Sequence, residues 1–264
     1  MLIVGERINA SRKAVGQAIS EENREFIRHE AKSQAQAGAD YLDVNAGTFI
    51  DREAEHLKWV VEVVQEASDL PLCVDSPDPA VIKAILPLLD KTSLINSVTL
   101  EQSRLKIVLS LAVEYKAKLI ALCQSQDASA HSAEEKLGMA GQLVEKATNA
   151  GIPIHDLYID PLVYPLGTDQ GSAIASLSAI EMIMSRFPGV HTICGLTNVS
   201  HGLPIRPLIN RTFLAAAVLR GLDSVIMDPT DKLLYGTLKA ALVVANKDHF
   251  CVGYIKAFRE GKLA

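Results

Sequence analysis

The sequence is short of several features that assign a chain quickly to a class. No apolar run approaches the ~20 residues that a membrane span requires, which argues against a membrane protein. There is no basic tract, and the formal net charge is -5, which argues against nucleic acid as a partner. Met1 leads directly into an apolar, strand-like run. We therefore expect a cytoplasmic protein.

Cysteine is also scarce, and its pattern excludes two kinds of site. The four cysteines are far apart and no C-x-x-C occurs: Cys73, Cys123, Cys194 and Cys251. Three of them lie in apolar, strand-like settings, where cysteine behaves as a small buried hydrophobe. We expect neither a disulfide framework nor a metal site built from these cysteines. The glycine-rich phosphate motifs G-x-G-x-x-G and G-x-x-x-x-G-K-[ST] are absent as well.

What is present is a regular alternation of strand and helix patterns. Across 264 residues, short apolar runs alternate eight times with helical spacings, without a linker or composition break. This alternation predicts βαβ units and a parallel sheet. Eight units in this length favour a single α/β domain over residues 1–264, a closed (β/α)8 TIM barrel. An open, doubly wound sheet is the alternative, although it usually uses fewer strands and a glycine-rich first turn.

Capping patterns predict where several helices begin. A helix is predicted over residues 21–38 with Ser20 as its cap, and Pro79 opens another behind Asp78. Residues 99–102 and residues 132–135 both resemble capping boxes.

The residues that end the predicted strands are almost all carboxylates and amides. In a barrel of this kind the carboxyl ends of the strands form the active site. Each residue alone has an ordinary explanation as a cap or turn residue, and residues 194–200 resemble a βα turn in which Gly and Asn tolerate positive φ. Their convergence on one rim favours a binding site instead. The strand ends are Asn9, Asn45, Asp75, Asn96, Gln124, Asp160, Asn198 and Asp228.

Such a rim suits a neutral heterocycle that is rich in N–H donors. A carboxylate accepts two parallel hydrogen bonds, and amides satisfy mixed ring nitrogens and carbonyls. A phosphate or carboxylate substrate would require Arg, Lys or helix N-termini. A glycosidase acting through Asp75 and Asp160 stays open, although aromatic residues make up only 5% of the chain. A hydrated metal held by Asp and Asn also stays open and ranks below the heterocycle.

Seven blocks of sequence carry a resemblance to a known family. Together they closely resemble the methyltetrahydrofolate:corrinoid protein methyltransferases, in the pterin-binding barrel superfamily that also contains dihydropteroate synthase. The resemblance extends over essentially the whole chain in register, and its last two blocks are the most specific. The blocks are GERIN at 5–9, LDVN at 42–45, CVDS at 73–76, INS at 95–97, YIDPL at 158–162, GLTNVS at 195–200 and RPLINRTF at 206–213.

The resemblance implies a homodimeric barrel that holds a pterin at its mouth. By matching position, Asp75, Asn96 and Asp160 would bind the pterin ring, and Asn198 would be the catalytic residue near N5. The remaining residues expected to contact substrate are Gly195, Thr197, His201 and Arg206.

Three of these positions need separate comment. Thr197 stands where the family often has Ser, which preserves the hydroxyl. His201 stands where an amide is common, and it either alters the pH dependence or lies at the surface. Arg206 has three readings, namely a contact to the glutamate tail, steering of the partner, and a structural ion pair, of which the last is favoured.

The resemblance also implies the reaction. Tetrahydrofolate or 5-methyltetrahydrofolate would be the substrate, and a separate corrinoid protein would supply cobalamin, since the chain has no D-x-H-x-x-G motif. The methyl group would pass directly between N5 and cobalt without a protein nucleophile. Neutral Asn198 would strengthen its hydrogen bond at N5 as charge develops there. The sequence does not set the direction of transfer.

Two alternatives belong to other functional classes. Dihydropteroate synthase needs cations for its pyrophosphate leaving group, and its Ser-Arg-Lys segment would align with residues 197–199, which carry no cation. A non-catalytic folate-binding subunit of a corrinoid complex would bind folate without turnover.

Overall fold

The computed structural model describes residues 1–125 and 130–263. Eight parallel strands form one sheet in the order β7-β6-β5-β4-β3-β2-β1-β8. The strands are β1 (Leu2–Asn9), β2 (Tyr41–Asn45), β3 (Leu72–Asp75), β4 (Leu94–Val98), β5 (Lys118–Leu122), β6 (Leu157–Asp160), β7 (His191–Thr192) and β8 (Ser224–Met227).

The two edge strands, β7 and β8, meet at a narrow seam. Strand β7 has only two residues. Beyond it, Gly195 forms an isolated parallel bridge with Ile226, whose amide donates to the carbonyl of Cys194 at 2.9 Å. The sheet is therefore a nearly closed barrel, which confirms the predicted (β/α)8 fold.

The helices pack around the sheet, and most of them lie between successive strands. They are α1 (Lys13–Ser20), α2 (Arg24–Ala37), α3 (Glu53–Ala67), α4 (Pro79–Ile85), α5 (Gln102–Glu114), α6 (Ala133–Asn149), α7 (Ser172–Arg186), α8 (Arg206–Leu219), α9 (Lys232–Val244) and α10 (Val252–Arg259). Helices α1 and α10 were not predicted. Within the described residues, no helix has the length and apolarity needed to cross a membrane. The cytoplasmic location stays a prediction.

The predicted start of the second helix is wrong by three residues. Ser20 is the last residue of α1 rather than a cap, and the chain then turns at Glu22, where φ is +50°. Asn23 is the actual cap of α2, because its side chain accepts from the amide of Phe26 at 3.1 Å.

The capping predictions have mixed outcomes. Asp78 caps α4 by accepting from the amide of Ala80 at 2.8 Å, as predicted. The capping box over 132–135 is confirmed, with both reciprocal hydrogen bonds formed at the start of α6. The box predicted over 99–102 is wrong. Helix α5 begins at Gln102 itself, so Thr99 caps only the turn before it, accepting from the amide of Glu101 at 3.3 Å.

The interior of the barrel is filled by one side chain from each of seven strands or strand ends. Below the mouth, these form a buried apolar cluster of Val4, Tyr41, Cys73, Leu94, Ile120, Tyr158 and Ile193. A larger core lies between the outer face of the sheet and the helices. Three cysteines are buried and all four are free, as the sequence predicts. The interior is therefore a packed core rather than a pore, and in barrels of this kind the active site lies at the carboxyl ends of the strands.

Candidate functional site

The polar residues of the mouth continue the inward-facing rows of the strands. Successive side chains of a strand point to opposite faces, so residues two apart share a face. Two positions after each buried apolar residue, the inward row reaches a polar residue or a glycine on six of the strands or strand ends. These residues are Glu6, Asp43, Asp75, Asn96, Asp160 and Gly195.

Strands β2, β3 and β4 bring two acid–amide pairs together. The side-chain amide of Asn45 donates to Oδ2 of Asp75 at 2.9 Å and to its carbonyl at 3.2 Å. One strand further, Asp75 and Asn96 are register partners, and the amide of Asn96 donates to Oδ1 of Asp43 at 3.3 Å. Each amide therefore fixes the orientation of a neighbouring carboxylate.

A pocket of about 410 Å³ opens beside these pairs. Its lining includes Asp75, Asn96, Gln124 and Arg104. The Arg104 guanidinium donates to the carbonyls of Ser76 and Ser97, at 2.9 and 2.6 Å, so it braces the two loops of the pocket. A larger groove of about 630 Å³ lies on the outside of the barrel around Trp59, away from the strand ends. We therefore take the mouth as the functional site.

Burial dominates the electrostatics of the mouth. Removal from water raises the pKa of Asp75 to about 6, although the hydrogen bond from Asn45 opposes this effect. Burial raises the pKa of Asp43 well above its usual range, and the nearby Asp75 charge adds to it. Burial likewise raises the pKa of Glu6 to about 7, with Arg12 opposing it. Clusters of perturbed carboxyl groups are typical of functional sites.

Asp160 is held by the backbone of two segments. Its carboxylate accepts from the amide of Leu162 at 2.7 Å and from the amide of Gly195. The side chain is buried, and that burial raises the pKa of Asp160 to about 6. Asp160 therefore links the end of β6 to the start of the turn that follows β7.

The predicted turn around Asn198 is a 3-10 helix over Leu196–Ser200. Residues 194–200 are therefore not a simple βα turn, since Thr197 and Asn198 lie inside this short helix. A Cβ on Gly195 would lie 3.3 Å from Nδ2 of Asn198, so glycine leaves room for the amide to pack over the backbone.

Arg206 and Glu6 hold this turn from two sides. The Arg206 guanidinium donates to the carbonyl of Thr197 at 2.8 Å and to the hydroxyl of Ser200 at 3.1 Å. The Thr197 hydroxyl donates to Oε2 of Glu6 at 3.4 Å. His201 follows at the end of the turn and is exposed.

At two of the predicted strand ends, the polar side chain forms hydrogen bonds or an ion pair with other residues of the rim. Asn9 accepts from the amide and hydroxyl of Ser11, at 3.0 and 2.7 Å. Asp228 pairs with Arg7 at 2.8 Å and caps its own loop through Thr230. These residues shape the rim from strands β1 and β8.

The sequence argument missed three residues that the structure brings to the site. Asp43 and Glu6 are acidic residues inside apolar strands, and the period-2 pattern places both on the inward face. Lys136, in the first turn of α6, lies behind Asp160 and is completely buried. The helical spacing that places Ala133 and Ala140 on the buried face of α6 places Lys136 there as well, and this is the sequence signal that could have found it.

Comparison with known proteins gives a consistent result over the whole chain. At 38% identity, the chain aligns over its full length, and over 98% of the relative, with a methylcorrinoid:tetrahydrofolate methyltransferase from Eubacterium limosum. It is 31% identical to part of methionine synthase from Mycobacterium tuberculosis, covering 86% of this chain but 20% of that protein.

The solved structures that it resembles have the same barrel. Dihydropteroate synthase from Xanthomonas albilineans superposes with a TM-score of 0.71 at 18% identity, covering 94% of this chain and 93% of that one. At that identity the likeness establishes the fold alone. The family described as pterin binding enzyme matches residues 5–228, which include every site residue discussed above. The chain belongs to the pterin-binding enzyme family.

Proposed function

We propose that the protein transfers a methyl group between N5 of tetrahydrofolate and the cobalt of a corrinoid carried by another protein. The observation that carries this proposal is the full-length match, at 38% identity, to the Eubacterium limosum methylcorrinoid:tetrahydrofolate methyltransferase. The mouth of the barrel offers the carboxylates and amides that a pterin requires.

In this proposal Asp75, Asn96 and Asp160 bind the pterin ring. A carboxylate matches the parallel N–H donors of an aminopyrimidine, and an amide matches the adjacent mixture of donor and acceptor atoms. Their support comes from the geometry of the mouth: the three residues end inward-facing rows of β3, β4 and β6. Asn45 and the backbone around Leu162 already orient the two carboxylates.

Asn198 acts at N5, where bonds break and form. When methyltetrahydrofolate is consumed, the electron pair of Co(I) forms the Co–C bond, the C–N5 pair returns to nitrogen, and N5 gains one proton. The reverse reaction releases that proton as N5 attacks the methyl group. A neutral amide suits both directions because it can donate to N5 or accept from N5–H.

The remaining site residues shape this turn or its rim. Gly195 makes room for the Asn198 amide, and Arg206 reaches the site through its hydrogen bonds to the turn. Thr197 presents its hydroxyl toward Glu6. Exposed His201 is proposed as a rim residue that borders the approach of the corrinoid protein.

The function is tested by mixing the protein with 5-methyltetrahydrofolate and cob(I)alamin, free or on a corrinoid protein. We expect the cob(I)alamin absorbance to decay at a rate proportional to enzyme concentration, with tetrahydrofolate formed in equal amount. Tetrahydrofolate in place of the methylated form is the control. Folate binding without decay would identify a non-catalytic subunit, whereas formation of dihydropteroate from its two precursors would favour a synthase.

We also propose that the protein is a homodimer that buries its C-terminal apolar face. This face is defined by Val244, Phe250, Val252, Tyr254, Ile255 and Phe258, whose exposed fractions include 90% for Phe250 and 70% for Phe258. Large exposed apolar patches commonly mark protein interfaces. Light scattering is expected to give twice the chain mass, and F250S/F258S to give a monomer. A dimer that persists in this variant would place the interface elsewhere.

A further inference from the structure

Lys136 is buried in a way that is uncommon for lysine. Its side chain is 0% exposed although it belongs to the first turn of α6. Removing an ammonium group from water is costly unless hydrogen bonds and opposite charge compensate for it. A buried lysine at this position therefore requires an explanation.

The ammonium group binds the loop that follows Asp160. Nζ of Lys136 donates to the carbonyls of Pro161 and Leu162, both at 2.7 Å. The ring of Tyr164 lies beneath it, with Nζ 5.1 Å from the ring centroid. Lys136 thus closes one side of the loop with two short hydrogen bonds.

Leu162 joins this arrangement to the carboxylate. Its carbonyl accepts from Lys136, while its amide donates to Oδ1 of Asp160 at 2.7 Å. Its backbone has a φ of +55°, a conformation that a leucine rarely adopts without support from its surroundings. Lys136, Leu162 and Asp160 therefore form one connected unit.

The charges of this unit support each other. Asp160 and Asp169 favour the charged form of Lys136, whereas burial lowers the lysine pKa. Burial raises the pKa of Asp160, and the amides of Leu162 and Gly195, followed by the Lys136 charge, oppose this effect. Among the described residues, the thiols of Cys123 and Cys194 also act on Lys136, and burial keeps the pKa values of both above the usual range.

We infer that Lys136 is a positioning residue for pterin binding, which holds Asp160 both in place and in its charged form. It touches no substrate and acts through the loop and through its charge. This inference rests on the proposed function, because it assigns Asp160 to the pterin. It adds a residue from a helix outside the barrel to the binding machinery.

The test compares folate binding across pH 5 to 9 in the parent and in Lys136→Met. We expect the midpoint for loss of binding to move up by about one pH unit, so affinity falls about tenfold at pH 5 and only about twofold at pH 7. At pH 9 the affinity should approach that of the parent. Loss by the same factor at every pH would mean a purely structural role and would overturn the inference. Lys146→Met, in the last turn of α6, is the matched control.

Lys136→Gln guards against a variant that does not fold, because it keeps an N–H donor for the carbonyls but no charge. It is expected to show the same upward shift of the midpoint, and an unchanged midpoint would overturn the inference. A pH titration of the carbon-13 NMR signal of the Asp160 carboxyl in the ligand-free protein supplies a readout that needs no folate. This signal is assigned to Asp160 because it disappears in Asp160→Asn. If the parent bound no folate, the proposed function would fail. This titration would still show whether Lys136 keeps Asp160 charged.

Discussion

Replacing Asn198 by alanine is expected to lower kcat for methyl transfer by about 10²- to 10³-fold, the usual effect of removing one hydrogen bond that strengthens in the transition state. Folate affinity should change much less, since the proposed pterin contacts are made by carboxylates and amides on other strands. The turn should persist, because Arg206 holds the backbone carbonyl of Thr197 rather than the Asn198 side chain.

Single-turnover measurements with methyltetrahydrofolate and cob(I)alamin separate these effects. Calorimetry gives the folate Kd of the same variant. Asn149→Ala, at the exposed end of α6, is the matched control and should retain parent kinetics. A loss that appears entirely in Kd would make Asn198 a binding residue without a role at N5.

Asp75→Asn is expected to weaken folate binding by at least about 30-fold and at the same time to stabilise the ligand-free protein. Loss of a charge-assisted, paired contact to the pterin costs about 2–5 kcal/mol. The asparagine oxygen can still accept the hydrogen bond from Asn45, so the local structure should be kept. The gain in stability comes from removing a carboxylate that burial disfavours.

The pH dependence of this gain follows from the raised pKa. Asp75 titrates at about 6 in the folded chain against an ordinary value of 3.8. Between these values the folded state binds more protons than the unfolded state, so stability falls as pH rises through this window. A difference of that size corresponds to at most about 3 kcal/mol. Asp75→Asn should therefore equal the parent near pH 4 and exceed it above pH 7.

Urea unfolding at pH 4 to 8 measures this difference, and calorimetry measures the binding loss. Asp90→Asn is the control, because Asp90 is exposed and lies in the connection between α4 and β4, at the opposite end of the barrel. A variant that is less stable than the parent at pH 8 would show that the Asp75 charge stabilises the fold. That result would contradict the proposal that the Asp75 charge serves ligand binding at the expense of stability.

The barrel was predictable because local patterns and global fold agree in most units. Strand β7 is shorter than the apolar pattern indicates, because Ile193 and Cys194 are apolar and buried but lie beyond the strand itself. Helix α1 was missed because Gly16 argues against a helix interior. The structure explains that glycine, since a Cβ there would lie 2.6 Å from the carbonyl of Ala10.

Site residues were predictable only where a carboxylate or amide side chain lies at or near the end of a strand. Asp75 and Asp160 end β3 and β6, and Asn96 lies beside Asp75 two residues before the end of β4, so position and residue type together indicate the mouth. Glu6 is earlier in its strand and reaches the mouth because inward rows alternate. The helical spacing of α6 places Lys136 on the buried face, but its contact with the loop after β6 is tertiary and is not recorded in that spacing.

The seam between β7 and β8 gives the site a further property. The bridge from Gly195 to Ile226 closes the barrel, and Gly195 also begins the turn that carries Asn198 and donates to Asp160. Opening of this seam is therefore the same local unfolding event that dismantles the reacting end of the mouth. A ligand held between Asp160 and Asn198 must oppose that opening by mass action. Binding of substrate and closure of the seam are thus linked in one equilibrium. The hydrogen exchange rate of the Ile226 amide reports on it, because that amide is hydrogen-bonded across the seam.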